Sequence, residues 1–242
     1  MSKLIKIVHP QILKDIGIAR ASLKGDPRFD LIRRHRIYSH LEKVSSQHSV
    51  DMEKVPKGKA QKLAFENLNL AKDYLMGNCK RELSEEPLQV AAALINNYQS
   101  GKMRYRDITA RTNGEEGPLV YPDPIKIPGE MYQFLQENTS LGTSVEKAVH
   151  SHFHITRIHP FEDGNGRLAR LVQNCFLESS GLPAISIESF DRDFYLHLLR
   201  RATRSYQDNN GQLKPELLKF YDYIALKLRD SLLEIHAQLN RS

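Results

Sequence analysis

The chain has 242 residues, enough for one large domain or for one domain with a helical appendage. Its 40% hydrophobic and 26% charged residues are typical of a globular protein, and no apolar run reaches the roughly 18 residues of a membrane helix. Its two cysteines lie outside any CxxC pair, which argues against a disulfide framework or a metal knuckle. The N-terminus lacks the apolar stretch of a signal peptide, so we expect a cytoplasmic protein with no membrane partner.

The formal net charge of +6 suits either nucleic acid or a ligand that carries phosphate. Arginines gather in two predicted helices, around residues 33–36 and 200–204. We find neither an RNA-binding signature with interleaved aromatic residues nor a clear helix-turn-helix. We therefore interpret both clusters as solvated faces or as surfaces that bind a partner, and nucleic acid is the less favoured partner.

The first 85 residues are predicted to form helices separated by short breaks. Between residues 60 and 75, the apolar residues recur in a pattern typical of a mostly buried helix. The next segment, EEPLQVAAALINNYQSG, continues the pattern. Pro87 near its start and Gly101 just past its end predict the limits of a second helix.

The character of the chain changes between Tyr105 and Pro128. Four prolines and several β-branched residues predict a short, irregular β-hairpin and not the core of a sheet. Asn113 and Gly114 favour a tight reversal within it. We call this hairpin, at about residues 105–125, the flap.

Helical patterns then resume and continue to the end of the chain. Thr143 or Ser144 can cap a helix that runs into the segment HPFEDGNGRLAR, residues 159–170. Apolar residues at helical spacing predict a buried helix after this segment, and Gly181 ends it. Further helices are predicted at residues 192–205 and from residue 214 to near the end, so the fold class is mainly α with one hairpin.

The segment HPFEDGNGRLAR concentrates groups that bind phosphate. Gly164, Asn165 and Gly166 lie at the start of a predicted helix, where backbone N–H groups and the positive helix end attract anions. Glycine there lets the backbone turn its N–H groups towards one point without a side chain in the way. Asn165 can either cap the helix or donate its amide to a phosphate oxygen.

The other polar residues of the segment extend this site. Arg167 and Arg170 are neighbours on one helical face, and two guanidinium groups beside an anion site suit a polyphosphate. Asp163 is the better of two adjacent carboxylates to hold the Mg²⁺ that accompanies a nucleoside triphosphate. His159, with a pKa expected near its usual value, can act as base towards an attacking hydroxyl.

These twelve residues resemble, without departure, the signature H-x-F-x-[D/E]-G-N-G-R-x-x-R of the Fic (filamentation induced by cAMP) family. Neighbouring segments such as VEKAVHSHFHITRIHPF and FYLHLLRRA are similar too, so the resemblance covers roughly residues 90–225. It implies a Fic-type helical bundle. It also implies an adenylyltransferase that moves AMP from ATP to a Ser, Thr or Tyr hydroxyl of a protein. Auto-modification and a homodimer are left open.

The resemblance also implies a role for each residue of the signature. His159 would be the general base and Asp163 the Mg²⁺ ligand. The residues implied to bind the phosphates of ATP are Gly164, Asn165, Gly166, Arg167 and Arg170. The flap would pair with the backbone of the target as an added strand. The flap residues implied to position the target are Arg111, Thr112, Leu119 and Tyr121.

Many Fic proteins carry an inhibitory helix with the pattern [S/T]-x-x-x-E-[G/N], whose Glu pairs with the second arginine of the signature and blocks the γ-phosphate. In this chain HSVDMEKV offers Ser49 and Glu53, upstream of the signature. Lys54 departs from the expected Gly or Asn. A shifted alignment that begins at Ser45 would place Ser49 where the Glu should be, so inhibition by Glu53 is left open.

We therefore predict an N-terminal helical region at residues 1–85 that packs on the core, with an inhibitory helix near residues 45–55. The Fic core is predicted at residues 86–242, with the flap and the C-terminal helices. Two alternatives stay open: a nucleotide-binding interaction module without transferase activity, and transfer of another group that contains phosphate. Retention of His159 argues against the module, because binding alone does not need a base.

Overall fold

The structure is a computed structural model that describes residues 6–53, 56–78, 82–98, 101–114, 117–209 and 212–241. Most of these residues are helical, and the strands form a single two-stranded antiparallel hairpin within the described part of the chain. The predicted fold class, mainly α with one short hairpin, is confirmed. No helix in the described ranges is both long and apolar enough to span a bilayer.

Nine α-helices lie within the described residues: α1 Pro10–Gly25, α2 Leu31–Met52, α3 Lys59–Asn78, α4 Glu85–Ile95, α5 Ile127–Thr139, α6 Ser144–Ile158, α7 Asn165–Ser179, α8 Arg192–Asp208 and α9 Pro215–Arg241. Strands β1 Arg111–Thr112 and β2 Leu119–Val120 lie between α4 and α5. Short 3₁₀ turns at Pro124–Lys126 and Ser189–Asp191 precede α5 and α8.

Helices α6 and α7 form the centre of the fold, and the glycine-rich segment joins them. Thr143 caps α6 as the sequence predicts, because its hydroxyl accepts from the Glu146 N–H at 3.1 Å and lies 3.0 Å from the Glu146 carboxylate. Helices α5 and α9 pack on α6, while α2, α3 and α4 pack on α7. These helices bury every residue of α6 except Ser144 and Lys147. The glycine-rich segment therefore begins at the end of a tightly packed helix.

Helix α4 ends earlier than the sequence predicts. It ends at Ile95 because Asn97 adopts the left-handed conformation, with φ of 52°, and the Tyr98 N–H donates to the Ala93 carbonyl at 2.8 Å. The prediction that this helix continues to Gly101 is therefore wrong. The early end places Asn96 beside the glycine-rich segment, where its amide donates to the Asp163 carbonyl at 3.0 Å.

Helix α6 buries three histidines, and His152 lies deepest in the core. Its Nδ1 is 2.5 Å from the Gln173 side-chain oxygen, and its Nε2 is 2.8 Å from the Tyr195 hydroxyl. Burial lowers the pKa of His152 to about 3, and it also lowers the pKa of His150 and His154. All three imidazoles are therefore held in their neutral form at neutral pH.

We expect acid to destabilise the fold through His152. The folded-state pKa is about 3 and the ordinary pKa of histidine is 6.5, so between these values the unfolded chain binds a proton that the folded chain does not. The contribution of neutral His152 to the free energy of unfolding is complete above about pH 6.5 and decreases as the pH falls. In urea unfolding from pH 7.5 to 4.5, His152→Gln should reduce the slope of unfolding free energy against pH. The exposed-site control His40→Gln should not, and equal slopes for all three proteins would contradict the prediction.

Candidate active site

The glycine-rich segment opens onto a cavity of about 700 Å³, a volume suited to a nucleotide-sized ligand. Four parts of the chain surround the cavity: the end of α6 with the start of α7, the flap, the end of α2 and helix α8. The lining residues predicted from the sequence are Glu53, Thr112, Leu119, Tyr121, His159, Gly166 and Arg170. The cavity therefore brings together one residue of the predicted inhibitory pair, three flap residues and part of the signature.

His159 ends α6 in the left-handed conformation, with φ of 52° and ψ of 56°. Its ring stacks on Tyr121 of the flap, with the ring centroids 4.1 Å apart, and its Nδ1 lies 3.4 Å from the Thr156 carbonyl. Burial lowers the pKa of His159 to about 4, so the expectation of an ordinary pKa is wrong. The imidazole is neutral at pH 7 and able to accept a proton, but it is a weaker base than the sequence suggests.

At both glycines of the segment, an added Cβ would come close to neighbouring side chains. At Gly164, which has φ of 79°, an added Cβ would lie 2.9 Å from the Asn96 side-chain nitrogen. At Gly166 an added Cβ would lie 2.8 Å from the Glu53 carboxylate and 3.2 Å from Arg170 Nη1. Gly166 therefore leaves backbone, and no side chain, facing the cavity between these two charged groups.

Asn165 supports the loop through its side chain. It is 2% exposed, and its amide oxygen accepts from the Phe161 N–H at 3.0 Å while its amide nitrogen donates to the Phe161 carbonyl at 2.7 Å. Neither use proposed from the sequence, capping or donation to phosphate, matches these contacts. Since Asn165 begins α7, its backbone N–H and those of the next two residues have no partner within the helix. Phosphate binding here stays a prediction for those N–H groups.

The two arginines of the signature point to different partners. Arg170 lines the cavity, whereas Arg167 donates to the Ile95 carbonyl at 3.3 Å and to the Asn96 side-chain oxygen at 3.1 Å. Arg167 also lies 2.9 Å from the Asp163 carboxylate. The sequence predicts both guanidinium groups beside the anion site, and of the two only Arg170 lines the cavity. A phosphate contact for Arg167 stays a prediction that requires it to leave these partners.

Asp163 has the properties of a magnesium ligand. Its side chain is 76% exposed, one oxygen accepts from the Gly164 N–H at 2.6 Å, and the other pairs with Arg167. A single accessible carboxylate suits Mg²⁺, which keeps several waters and takes further oxygens from substrate phosphates. The residue therefore fits the ion, and its role stays a prediction.

Ser49 and Glu53, at the end of α2, both contact Arg170. The Glu53 carboxylate lies 2.7 Å from Arg170 Nη2, while the Ser49 hydroxyl and carbonyl accept from the same guanidinium at 2.9 and 3.1 Å. Ser45, the start of the shifted alignment, instead donates to the Ile185 carbonyl at 2.9 Å. The geometry therefore favours the alignment with Ser49 and Glu53, and Lys54 lies outside the described residues.

The flap is held against α8 by side chains that donate to its backbone. Arg200 donates to the carbonyls of Asn113 and Gly117 at 3.2 and 2.5 Å, and Arg204 donates to the Gly117 carbonyl at 3.1 Å. These contacts tie two residues of the 200–204 cluster to the flap, and both side chains stay partly exposed. The interpretation of the cluster as a solvated or partner-binding surface stays a prediction. Strand β1 pairs with β2 in the register Arg111 to Val120 and Thr112 to Leu119.

Arg106 is a site residue that the sequence does not single out. It is 2% exposed and donates to the carbonyls of His159, Ile108 and Pro122, each at 2.7 Å. One guanidinium thereby ties both ends of the flap to the end of α6. Arg104, two residues earlier, has the same charge and a similar setting in the sequence, so only the tertiary contacts distinguish the two.

We expect Arg106→Met to lower the free energy of unfolding by about 3 kcal/mol, because it leaves several carbonyls of the loop without their charged donor. Arg104→Met is the matched control, since that side chain is exposed, and it should change the unfolding free energy by less than about 0.5 kcal/mol. Urea unfolding of the two variants tests the difference. Equal effects would show that Arg106 does not hold the loop and flap together.

Residues 82–177 match the family model described as the Fic/DOC family. A protein from Nematostella vectensis named Protein adenylyltransferase Fic is 35% identical over 100 residues, which cover 40% of this chain and 22% of that relative. The matched region therefore spans less than a quarter of that relative's length.

Two solved structures show a similar fold. A Fic domain containing signaling protein from Bacteroides thetaiotaomicron superimposes with a TM-score of 0.74 at 24% identity, over 92% of this chain and 94% of that one. IbpAFic2, covalently tethered to Cdc42, superimposes with a TM-score of 0.58 at 15% identity, over 91% of this chain and 70% of that one. At these identities the likeness concerns the fold alone.

Proposed function

The chain belongs to the Fic family, and we propose that it transfers AMP from ATP to a hydroxyl group of a protein. The observation that carries this proposal is the cavity onto which His159, the start of α7 and Arg170 all open. A base, an anion-binding helix start and a cation are the groups that nucleotidyl transfer to a hydroxyl requires.

The triphosphate would lie across the start of α7. The free N–H groups of the first helical turn and the positive end of the helix would bind its negative charge. Arg170, which already borders the cavity at Gly166, would bind the γ-phosphate. Asp163 would hold Mg²⁺, which neutralises charge on the phosphates when it is bound.

His159 would accept the proton of the target hydroxyl as its oxygen attacks the α-phosphorus, and pyrophosphate would leave. The low pKa of His159 in the free protein arises first from burial. A bound triphosphate brings negative charge close to the ring, which favours the imidazolium form and raises the pKa. The base would therefore become stronger when the substrate is present.

A protein is the proposed acceptor of AMP. The IbpAFic2 structure, in which a similar fold is tethered to Cdc42, supports an acceptor of this class. The target would pair as an added strand with the flap, which exposes Arg111 and Thr112 beside Tyr121 and His159. Pairing there would bring a hydroxyl of the target to the mouth of the cavity.

Glu53 would inhibit this transfer in the free protein. Its carboxylate pairs with Arg170 at 2.7 Å, and the same guanidinium would be needed by the γ-phosphate. The carboxylate also lies against Gly166 at the start of α7, where it would repel an incoming anion. In the inhibited state, Arg170 would therefore be occupied by Glu53, and the Glu53 carboxylate would add negative charge to the phosphate site.

We expect label from ATP to move to protein from the α-phosphate only. The protein is incubated with cell lysate and ATP labelled at either the α- or the γ-phosphate, with His159→Ala and the exposed-site control His40→Ala in parallel. His159→Ala should lose the transfer because it lacks the base, and the control should keep it. Transfer from the γ-phosphate alone would contradict AMP transfer, and tight ATP binding without transfer would favour an interaction module.

We expect Glu53→Gly to increase auto-modification with α-labelled ATP by about tenfold, because it frees Arg170 for the γ-phosphate and removes a negative charge beside Gly166. A tenfold change corresponds to about 1.4 kcal/mol. Glu66→Gly, which removes an exposed glutamate on α3, should leave the rate unchanged. Adding His159→Ala to Glu53→Gly should abolish the signal. Equal rates for the wild-type protein and Glu53→Gly would remove the inhibitory role.

A further inference from the structure

We propose that Glu137, His150 and His154 form a binding site for a divalent metal ion, for which Zn²⁺ is the best match. None of these residues lines the cavity, so the site is separate from the phosphate site. One potential ligand atom from each residue lies within 4.8 Å of the others. The proposal concerns metal binding and does not depend on AMP transfer.

The helical spacing aligns the two imidazoles. His150 and His154 lie four residues apart on α6, so they share a face, and their ring centroids are 4.1 Å apart. Glu137 reaches them from the last turn of α5, with its carboxylate 3.5 Å from His150 Nε2. Ligand atoms around tetrahedral Zn²⁺ are roughly 3.3 Å apart, so the Glu137 and His150 pair is already near that separation.

The ligand types favour zinc over the hard cations. Two imidazoles and one carboxylate are a known set for Zn²⁺ with an open fourth position, whereas Mg²⁺ and Ca²⁺ prefer oxygen ligands. The Glu137 side chain is 41% exposed while both imidazoles are buried, so an ion would enter beside the carboxylate. Water would complete the coordination from that side.

The surroundings of the three residues hold them in position. The Phe134 ring packs against both imidazoles, with centroids 5.6 Å from each. Gln133 donates to one oxygen of Glu137 at 2.8 Å and leaves the other facing His150. Such outer contacts orient metal ligands and increase their affinity.

Arg157 competes with the metal for His154. Its Nε and Nη2 lie 3.2 and 3.0 Å from His154 Nδ1. A metal at either ring nitrogen displaces this contact, because a metal at Nε2 requires a proton on Nδ1. Arg157 keeps two partners after release, the Glu130 carboxylate at 2.7 Å and the Tyr206 ring at 4.1 Å. Removal of Arg157 should therefore strengthen metal binding.

Calorimetric titration of Zn²⁺ into the metal-free full chain, without nucleotide, tests the site. We expect one ion per chain. The affinity should fall by at least the roughly 10–100-fold that loss of an outer contact costs, in both His154→Leu and Glu137→Gln. Arg157→Met should bind more tightly. His40→Asn, which removes an exposed histidine, should match the wild-type protein.

Thermal unfolding supplies a second measurement on the same proteins. Glu137→Gln alters a partly exposed side chain and should keep the fold, so Zn²⁺ should raise the Tm of the wild-type protein and not of this variant. Equal zinc affinity in the wild-type protein, Glu137→Gln and His40→Asn would overturn the proposal. Loss of zinc binding in Asp163→Ala with retention in Glu137→Gln would place the ion at the cavity and would also overturn it.

Discussion

The ion pair between Arg170 and Glu53 is the central contact of the cavity. Arg170 borders the cavity that opens at the start of α7, yet its guanidinium is already bound by Ser49 and Glu53. The Arg170 guanidinium can pair either with the Glu53 carboxylate at the end of α2 or with a phosphate of a nucleotide. Whatever moves the end of α2 would therefore also change the charge of the phosphate site.

His159 and the flap are linked by a second set of contacts. Arg106 joins the carbonyl of His159 to both ends of the flap, and Tyr121 stacks on the His159 ring. Arg200 fixes the far side of the flap to α8. The flap and His159 are thus held by one connected set of contacts, while burial keeps the pKa of His159 at about 4.

The sequence predicted the features that local chemistry determines. Thr143 as a helix cap, the helical fold and the hairpin follow from residue types and spacing. The pairing of Glu53 with Arg170 belongs to one of two alignments that the sequence left open, and only the structure distinguishes them. The partners of Arg167 depend on where α4 ends, which the left-handed Asn97 decides. The side-chain partners of Asn165 both belong to Phe161, within the loop itself. Arg106 and Arg104 look alike in the sequence, and only tertiary packing buries one of them. The predicted boundary at residue 85 and the roles of the signature residues stay predictions.

The most direct test of the central claim is a pair of crystal structures with a non-hydrolysable ATP analogue, one of the wild-type protein and one of Glu53→Gly. We predict that the variant holds the phosphates over the start of α7, with the γ-phosphate bound to Arg170. In the wild-type protein, the Glu53 to Arg170 pair should persist and the γ-phosphate should lie elsewhere. A γ-phosphate in the same place in both structures, or phosphates away from α7, would contradict the account.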